Sequence, residues 1–280
     1  MLNLPLTHDF TGKVVVVTGA GGVLCGDMAR AYAQAGAKVA ALDLNEAAVL
    51  KLAEEVTAEG FIMKGYKANV LELEALEAVH QQILADFGPC DILINGAGGN
   101  HPKGTTPAEQ MTKDTKLEDT FFGLTPEGFE FVNKLNLVGT ILPCQVFCKE
   151  MLKKGGSVLN FCSMAAYQPL TKVAAYGAAK AGIMNFTSFL ATHLAPMGIR
   201  VNAIAPGFFS TIQNAKLLYN EDGSLTERSN KIITHTPMRR FGVPEDLTGA
   251  LVFLCDEQYS GFVTGVVLPV DGGFSAYSGV

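Results

Sequence analysis

Tyr176 and Lys180 stand four residues apart in a stretch that reads as helix, so they share one face, with their bases one turn apart. An ammonium beside a phenol favours phenolate, which predicts a Tyr176 pKa below the usual ~10 and a usable acid or base near neutrality. Ser163 closes the strand before that helix, and its hydroxyl is placed to hydrogen-bond a carbonyl or alcohol oxygen. Tyr and Lys at this spacing also occur on many helices that do no chemistry. The pair therefore needs a setting before it means anything.

A second group lies near the start of the chain. Residues 13–18 (KVVVVT) form a β-branched run, followed by Gly19, Gly21 and Gly22 and then a helical pattern over 24–35. Such a turn brings backbone N–H groups and the positive end of a helix dipole up to a phosphate. Asp43 ends the next strand, and its carboxylate suits two ribose hydroxyls while repelling a 2′-phosphate. No arginine stands beside it, so NAD is expected rather than NADP. The bland readings are a tight turn of any α/β protein and an Asp that merely caps a helix. The glycines also lack the regular G-x-G-x-x-G spacing.

The elements that would position these residues alternate. Strands are expected at 13–18, 38–43, 61–68, 91–95, 157–162, 200–205 and 266–270. Helices are expected at 24–35, 46–59, 71–87, 125–153, 173–196 and 244–255, most of them closed by Gly or Pro. Thr125 followed by Pro126 and Glu127 reads as a capped helix start. This spacing predicts an α/β fold: one doubly wound, Rossmann-type domain over residues 1–280, with about seven parallel strands and helices on both faces. Two polar segments, 99–124 and 208–235, break the rhythm. Both leave from the carboxyl ends of strands, where ligands bind in open α/β sheets.

Bulk properties exclude other classes. The net charge of −6 without a basic stripe argues against nucleic acid. Purely apolar runs are short, as at 14–17, against the ~20 residues of a membrane span, so no membrane partner is expected. Residues 1–10 show no basic run and no long apolar core, which predicts no signal peptide. Cys25, Cys90, Cys144, Cys148, Cys162 and Cys255 form no Cys-x-x-Cys pair, so buried reduced thiols in a cytoplasmic protein are expected, without a metal.

Taken together, the motifs resemble the short-chain dehydrogenase/reductase family over nearly the whole length. The matching segments are TGAGGVLCG (18–26), Asp43, ANV (68–70), INGAG (94–98), NLVG (136–139), Ser163, YGAAK (176–180), IRVNAIAPG (199–207) and VDGG (270–273). The resemblance implies an NAD-dependent oxidoreductase acting on a CH–OH group. Tyr176 would give or take the proton, Lys180 would also hold the nicotinamide ribose, and Ser163 would orient the carbonyl. Asn136 would kink its helix and hold a water behind Lys180. Cofactor contacts are implied at Gly19, Gly22, Leu24, Asp43, Asn69, Val70, Asn95, Ala97, Gly98, Pro206, Gly207 and Thr211, and the family implies a homotetramer. The chain departs from the family pattern at Val23 and Cys25, where glycine is usual, and at Gly96, where asparagine is usual.

The GGNHPKG run (98–104) puts Asn100, His101 and Lys103 near the expected substrate mouth, where hydroxyls and a carboxylate could be met; the bland reading is a solvated loop tip. That run, the insertion before Phe129 and the ending PVDGGFSAYSGV resemble the D-mannonate oxidoreductase (fructuronate reductase) branch. The small-molecule partner implied is a sugar acid, with D-fructuronate and D-mannonate interconverted. A gluconate 5-dehydrogenase-like or 3-ketoacyl reductase-like enzyme, and a non-catalytic dinucleotide sensor, are the alternatives.

Overall fold

The computed structural model describes residues 8–212 and 214–279. Most of the segment on which the signal-peptide reading rests, residues 1–7, lies outside them, as does Val280, the last residue of the run used for the branch resemblance. Seven strands form one parallel sheet: β1 (Val14–Thr18), β2 (Lys38–Asp43), β3 (Ile62–Lys67), β4 (Ile92–Asn95), β5 (Gly156–Phe161), β6 (Ile199–Pro206) and β7 (Val267–Val270). Their spatial order is β3-β2-β1-β4-β5-β6-β7. The chain reverses direction across the sheet between β1 and β4, so a crevice opens beyond their carboxyl ends. In register, Thr18 lies opposite Asn95 there.

The central strands are buried on both faces, which is why they read as continuous apolar runs rather than alternating ones. One face packs on α1 (Val23–Gln34), with Met28, Ala29 and Tyr32 meeting Val15, Val17 and Val39. α2 (Glu46–Ala58) joins the same layer through Val49 and Val56, and α9 (Glu245–Cys255) through Leu247 and Leu251. The opposite face packs on α3 (Leu73–Asp86) through Leu76 and Ile83, on α5 (Gly139–Met151) through Phe147 and Met151, and on α6 (Ala174–Leu194) through Ala191. All six cysteines are free and buried.

One expected helix is two. The run starting at Thr125 begins as predicted, with the Thr125 hydroxyl accepting from Gly128 N at 3.1 Å and Pro126 in the first turn. It is α4 (Pro126–Asn133), then a π-helical turn at Lys134–Val138, then α5. The cause is side-chain competition for backbone carbonyls. Asn136 Nδ2 donates to Val132 O at 2.8 Å, and Thr140 Oγ1 donates to Asn136 O at 2.8 Å. By length and composition Pro126–Met151 is apolar enough to cross a membrane, with a mean hydropathy of 1.2. Half of that window is buried inside the protein, where α5 forms part of the core.

The described residues of the two polar segments form short helical turns. Residues 99–124 fold into three short 3₁₀ turns, and α7 (Ala215–Leu218) and α8 (Glu227–His235) occupy the second segment. Lys231 on α8 pairs with Glu109 at 3.4 Å, which ties the second segment to the first.

Candidate active site

Gly19 adopts φ +73° immediately after β1. A side chain there would be strained, and its Cβ would come within 2.8 Å of the Ala97 backbone. The turn that follows leads into α1, whose first turn carries no acidic residue and no side-chain cap, so its N–H groups face outward. Thr18 Oγ1 accepts from Gly96 N and Ala97 N, at 3.1 and 3.3 Å, and so fixes the chain leaving β4 against the end of β1. Sequence reasoning placed Thr18 in a motif without giving it this task. Its position as the last residue of a buried strand was the available signal.

Asp43 is more than a cap, since α2 is capped by Asn45. Its carboxylate accepts from Gly21 N at 3.0 Å through one oxygen and from Asn45 N at 2.8 Å through the other. The group is thereby aimed at the rim of a cavity of about 390 Å³. That cavity is lined by Gly19, Gly22, Val23, Leu24, Asp43, Asn69, Val70, Ala97 and Gly98, among others. A second cavity of about 350 Å³ shares Val23 and Leu24 and continues to Gly207 and Thr211. A carboxylate at one end, an open helix N-terminus in the middle and a second chamber beyond it fit the shape of a dinucleotide.

Asn95 differs from expectation. It does not line either cavity; its amide is buried and donates to Asn160 Oδ1 at 2.9 Å and Cys144 Sγ at 3.1 Å. It supports the β4 end from inside the protein. Pro206 ends β6, and the next N–H, that of Gly207, donates to Val270 O at 3.0 Å.

The catalytic candidates converge at the ends of β5 and α6. Ser163, buried, follows β5 and accepts from Ala165 N at 3.1 Å. Lys180 is buried, donates to Phe161 O at 2.7 Å, and lies 5.4 Å from the centre of the Tyr176 ring. Asn136 grips Gly99 by donating to its O at 2.7 Å and accepting from its N at 3.2 Å. The π-turn thus holds the chain leaving β4 beside Lys180.

The expected lowering of the Tyr176 pKa is corrected. Burial pushes the phenol up to about 12, while the Ser163 hydroxyl pulls it partly back. Burial also drives the Lys180 ammonium down to about 8, against the pull of Cys162 and Cys25. For Tyr176, desolvation thus outweighs the one opposing influence, the Ser163 hydrogen bond. The i,i+4 spacing gave proximity, but burial of both groups is set by tertiary packing and was not in the spacing.

The GGNHPKG residues are engaged close to home. Asn100 donates to Thr105 Oγ1 at 3.1 Å and accepts from His101 N at 2.9 Å. The His101 ring packs on Phe131 of α4 at 5.0 Å, and the Lys103 backbone lies against Gly128. Among the described residues, no hydrogen bond joins these three to Ser163, Tyr176 or Lys180.

Residues 24–275 match the family described as enoyl-(acyl carrier protein) reductase. The chain is 54% identical to an uncharacterized oxidoreductase of Haemophilus influenzae, covering 100% of this chain and 99% of that one. A crystal structure of a Haemophilus protein provisionally named D-mannonate oxidoreductase, with bound NAD, superposes with a TM-score of 0.94 at 55% identity over 98% of both chains. A gluconate 5-dehydrogenase from Burkholderia cenocepacia, in complex with NADP and tartrate, gives 0.82 at 28% identity over 96% of this chain and 97% of that one.

Proposed function

Given that the chain belongs to the short-chain dehydrogenase/reductase family, we propose that it is an NAD(H)-dependent oxidoreductase interconverting a keto sugar acid and its hydroxy acid, D-fructuronate and D-mannonate. The observation that carries this reading is Ser163, Tyr176 and Lys180 gathered beside a dinucleotide-shaped cavity headed by Asp43. The NAD-bound relative at 55% identity supports the cofactor, and its provisional name supports the substrate.

NADH supplies the hydride in the reducing direction. Tyr176 gives its phenolic proton to the oxygen of the reacting carbonyl. Ser163 donates a hydrogen bond to that oxygen and holds it toward the phenol. Lys180, pinned by Phe161 O, keeps the phenol in place and reaches the nicotinamide ribose. Asn136 holds a water that returns a proton to Lys180. Asn69 and Val70 flank the adenine, Ala97 and Gly98 back the cofactor, and Pro206, Gly207 and Thr211 close over the nicotinamide. Lys103 and Asn100, both exposed, meet the substrate's carboxylate and hydroxyls, with His101 beside them. A homotetramer in the cytoplasm completes the reading. Exposed Phe129 and Phe131 on α4 and Phe189 on α6 supply apolar surface for subunit contacts.

Turnover of D-fructuronate with NADH, measured beside D-gluconate-derived and 3-ketoacyl substrates with each cofactor, tests the proposal. Absence of NADH oxidation with fructuronate sinks the substrate. Full activity in Tyr176→Phe sinks the assigned chemistry, whereas NADH binding without turnover of any substrate would leave a dinucleotide sensor.

A further inference from the structure

The diphosphate bridge of a dinucleotide is anionic, yet residues 19–22 and the first turn of α1 carry no basic side chain. The missing cation stands across the second cavity. Among the described residues that line it, Arg228 alone is charged, and it shares the cavity with Val23 and Leu24 at the start of α1 and with Thr211 and Asn214.

Arg228 is free to serve. Its helix neighbours Glu227 and Lys231 pair with each other at 3.3 Å, and among the described residues no carboxylate pairs with Arg228. Its backbone is well fixed. The Thr226 hydroxyl caps α8 by accepting from Ser229 N at 3.2 Å. Buried Ser229 donates to Leu218 O at 2.7 Å, and Ile232 packs with Leu218 and Phe241. Lys231 anchors the helix from outside through Glu109.

We propose that Arg228 holds the cofactor's diphosphate from the α8 side, opposite the N-terminus of α1. A guanidinium grips phosphate oxygens through paired N–H donors, and the helix end supplies the facing backbone donors. The assignment rests on the NAD reading above and is independent of the sugar acid.

Binding to the full chain tests it without turnover. NADH is titrated by fluorescence, with ADP and adenosine as competitors. Arg228→Ala should raise the NADH dissociation constant about tenfold and weaken ADP comparably, while adenosine is unchanged. Arg228→Lys should recover part of the loss. An NADH constant within about twofold of the parent overturns the assignment, as does an equal loss for adenosine. A rise confined to the KM of the keto sugar acid gives the guanidinium to the substrate carboxylate instead and also overturns it. A parent chain that binds neither NADH nor ADP removes the cofactor reading itself, an outcome distinct from any Arg228 effect.

Discussion

The thiol of Cys25 fills the space that a side chain at position 96 would take: a Cβ built on Gly96 would lie 2.2 Å from Cys25 Sγ. Two of the three departures from the family's pattern, Cys25 in the glycine cluster and Gly96 after β4, are therefore one exchange. Burial pushes that thiol up to about 12, so it serves as packing rather than as a nucleophile.

Gly96→Ala should destabilise the protein by about 1–3 kcal/mol through overpacking. In a Cys25→Ala background the nearest remaining atom of residue 25 is Cβ at 3.4 Å, whereas Thr18 O stays at 2.9 Å. The penalty should therefore shrink by about 1 kcal/mol without vanishing. Denaturant unfolding of the two single variants and the double variant measures the coupling. Strict additivity would refute the exchange.

Asp43→Ala should have two effects at once. Loss of the acceptor for Gly21 N and Asn45 N should cost about 1–3 kcal/mol of stability. Loss of the carboxylate should shift the NADPH-to-NADH preference toward NADPH by about tenfold. Parallel titrations with both cofactors check the second effect. An unchanged ratio would remove Asp43 from cofactor selection.

Lys180 makes stability depend on pH in a defined window. Its folded pKa of about 8 lies below the reference 10.5, so between these values the unfolded chain holds more protons than the folded one. Stability therefore gains from this group as pH rises through that window and lacks that gain below it. Relative to Lys180→Met, the parent should improve by about 3 kcal/mol between pH 7 and 10.5. Chemical unfolding at several pH values reads the difference, and a constant offset would contradict the burial argument.

For Tyr176 the direction of reaction matters. A phenol pushed up to about 12 stays protonated at neutral pH, the form that carbonyl reduction needs. Alcohol oxidation needs phenolate, whose fraction grows about tenfold per pH unit well below the pKa. Oxidation should thus climb by up to about a hundredfold between about pH 7 and 9, while reduction gains nothing from the same change. Initial rates in both directions decide the matter, and a flat oxidation profile would contradict it.

These residues also show what a sequence makes legible. The central strands were readable because they are buried on both faces, so KVVVVT and DILIN stand out without alternation. The Tyr176–Lys180 pair and Asp43 were readable because each belongs to a regular element or its end. What escaped depends on distant parts of the chain. The π-turn arises from Asn136 competing for Val132 O, which leaves the apolar pattern of one long helix intact. Asn95 faces inward because Asn160 lies opposite it on β5, a pairing set by sheet order. The place of Arg228 depends on how the segment after β6 returns toward α1. The sign of the Tyr176 shift depends on burial, which no spacing reports.

The π-turn also acts as a phase shifter. An α-helix advances about 100° per residue, and one residue accommodated in a wide turn offsets every side chain before it against every side chain after it. α4 and α5 lie end to end, yet their faces are out of step. Val132 turns inward by one rule and Val146 by another, and each is buried. Deleting a single residue within 134–138 would rotate all of α4 about its axis. The apolar stripe of α4, the Phe131 ring that supports His101 and the Asn136 grip on Gly99 would lose alignment together. For this chain, the length of that turn is as strict a requirement as the identity of any residue in it.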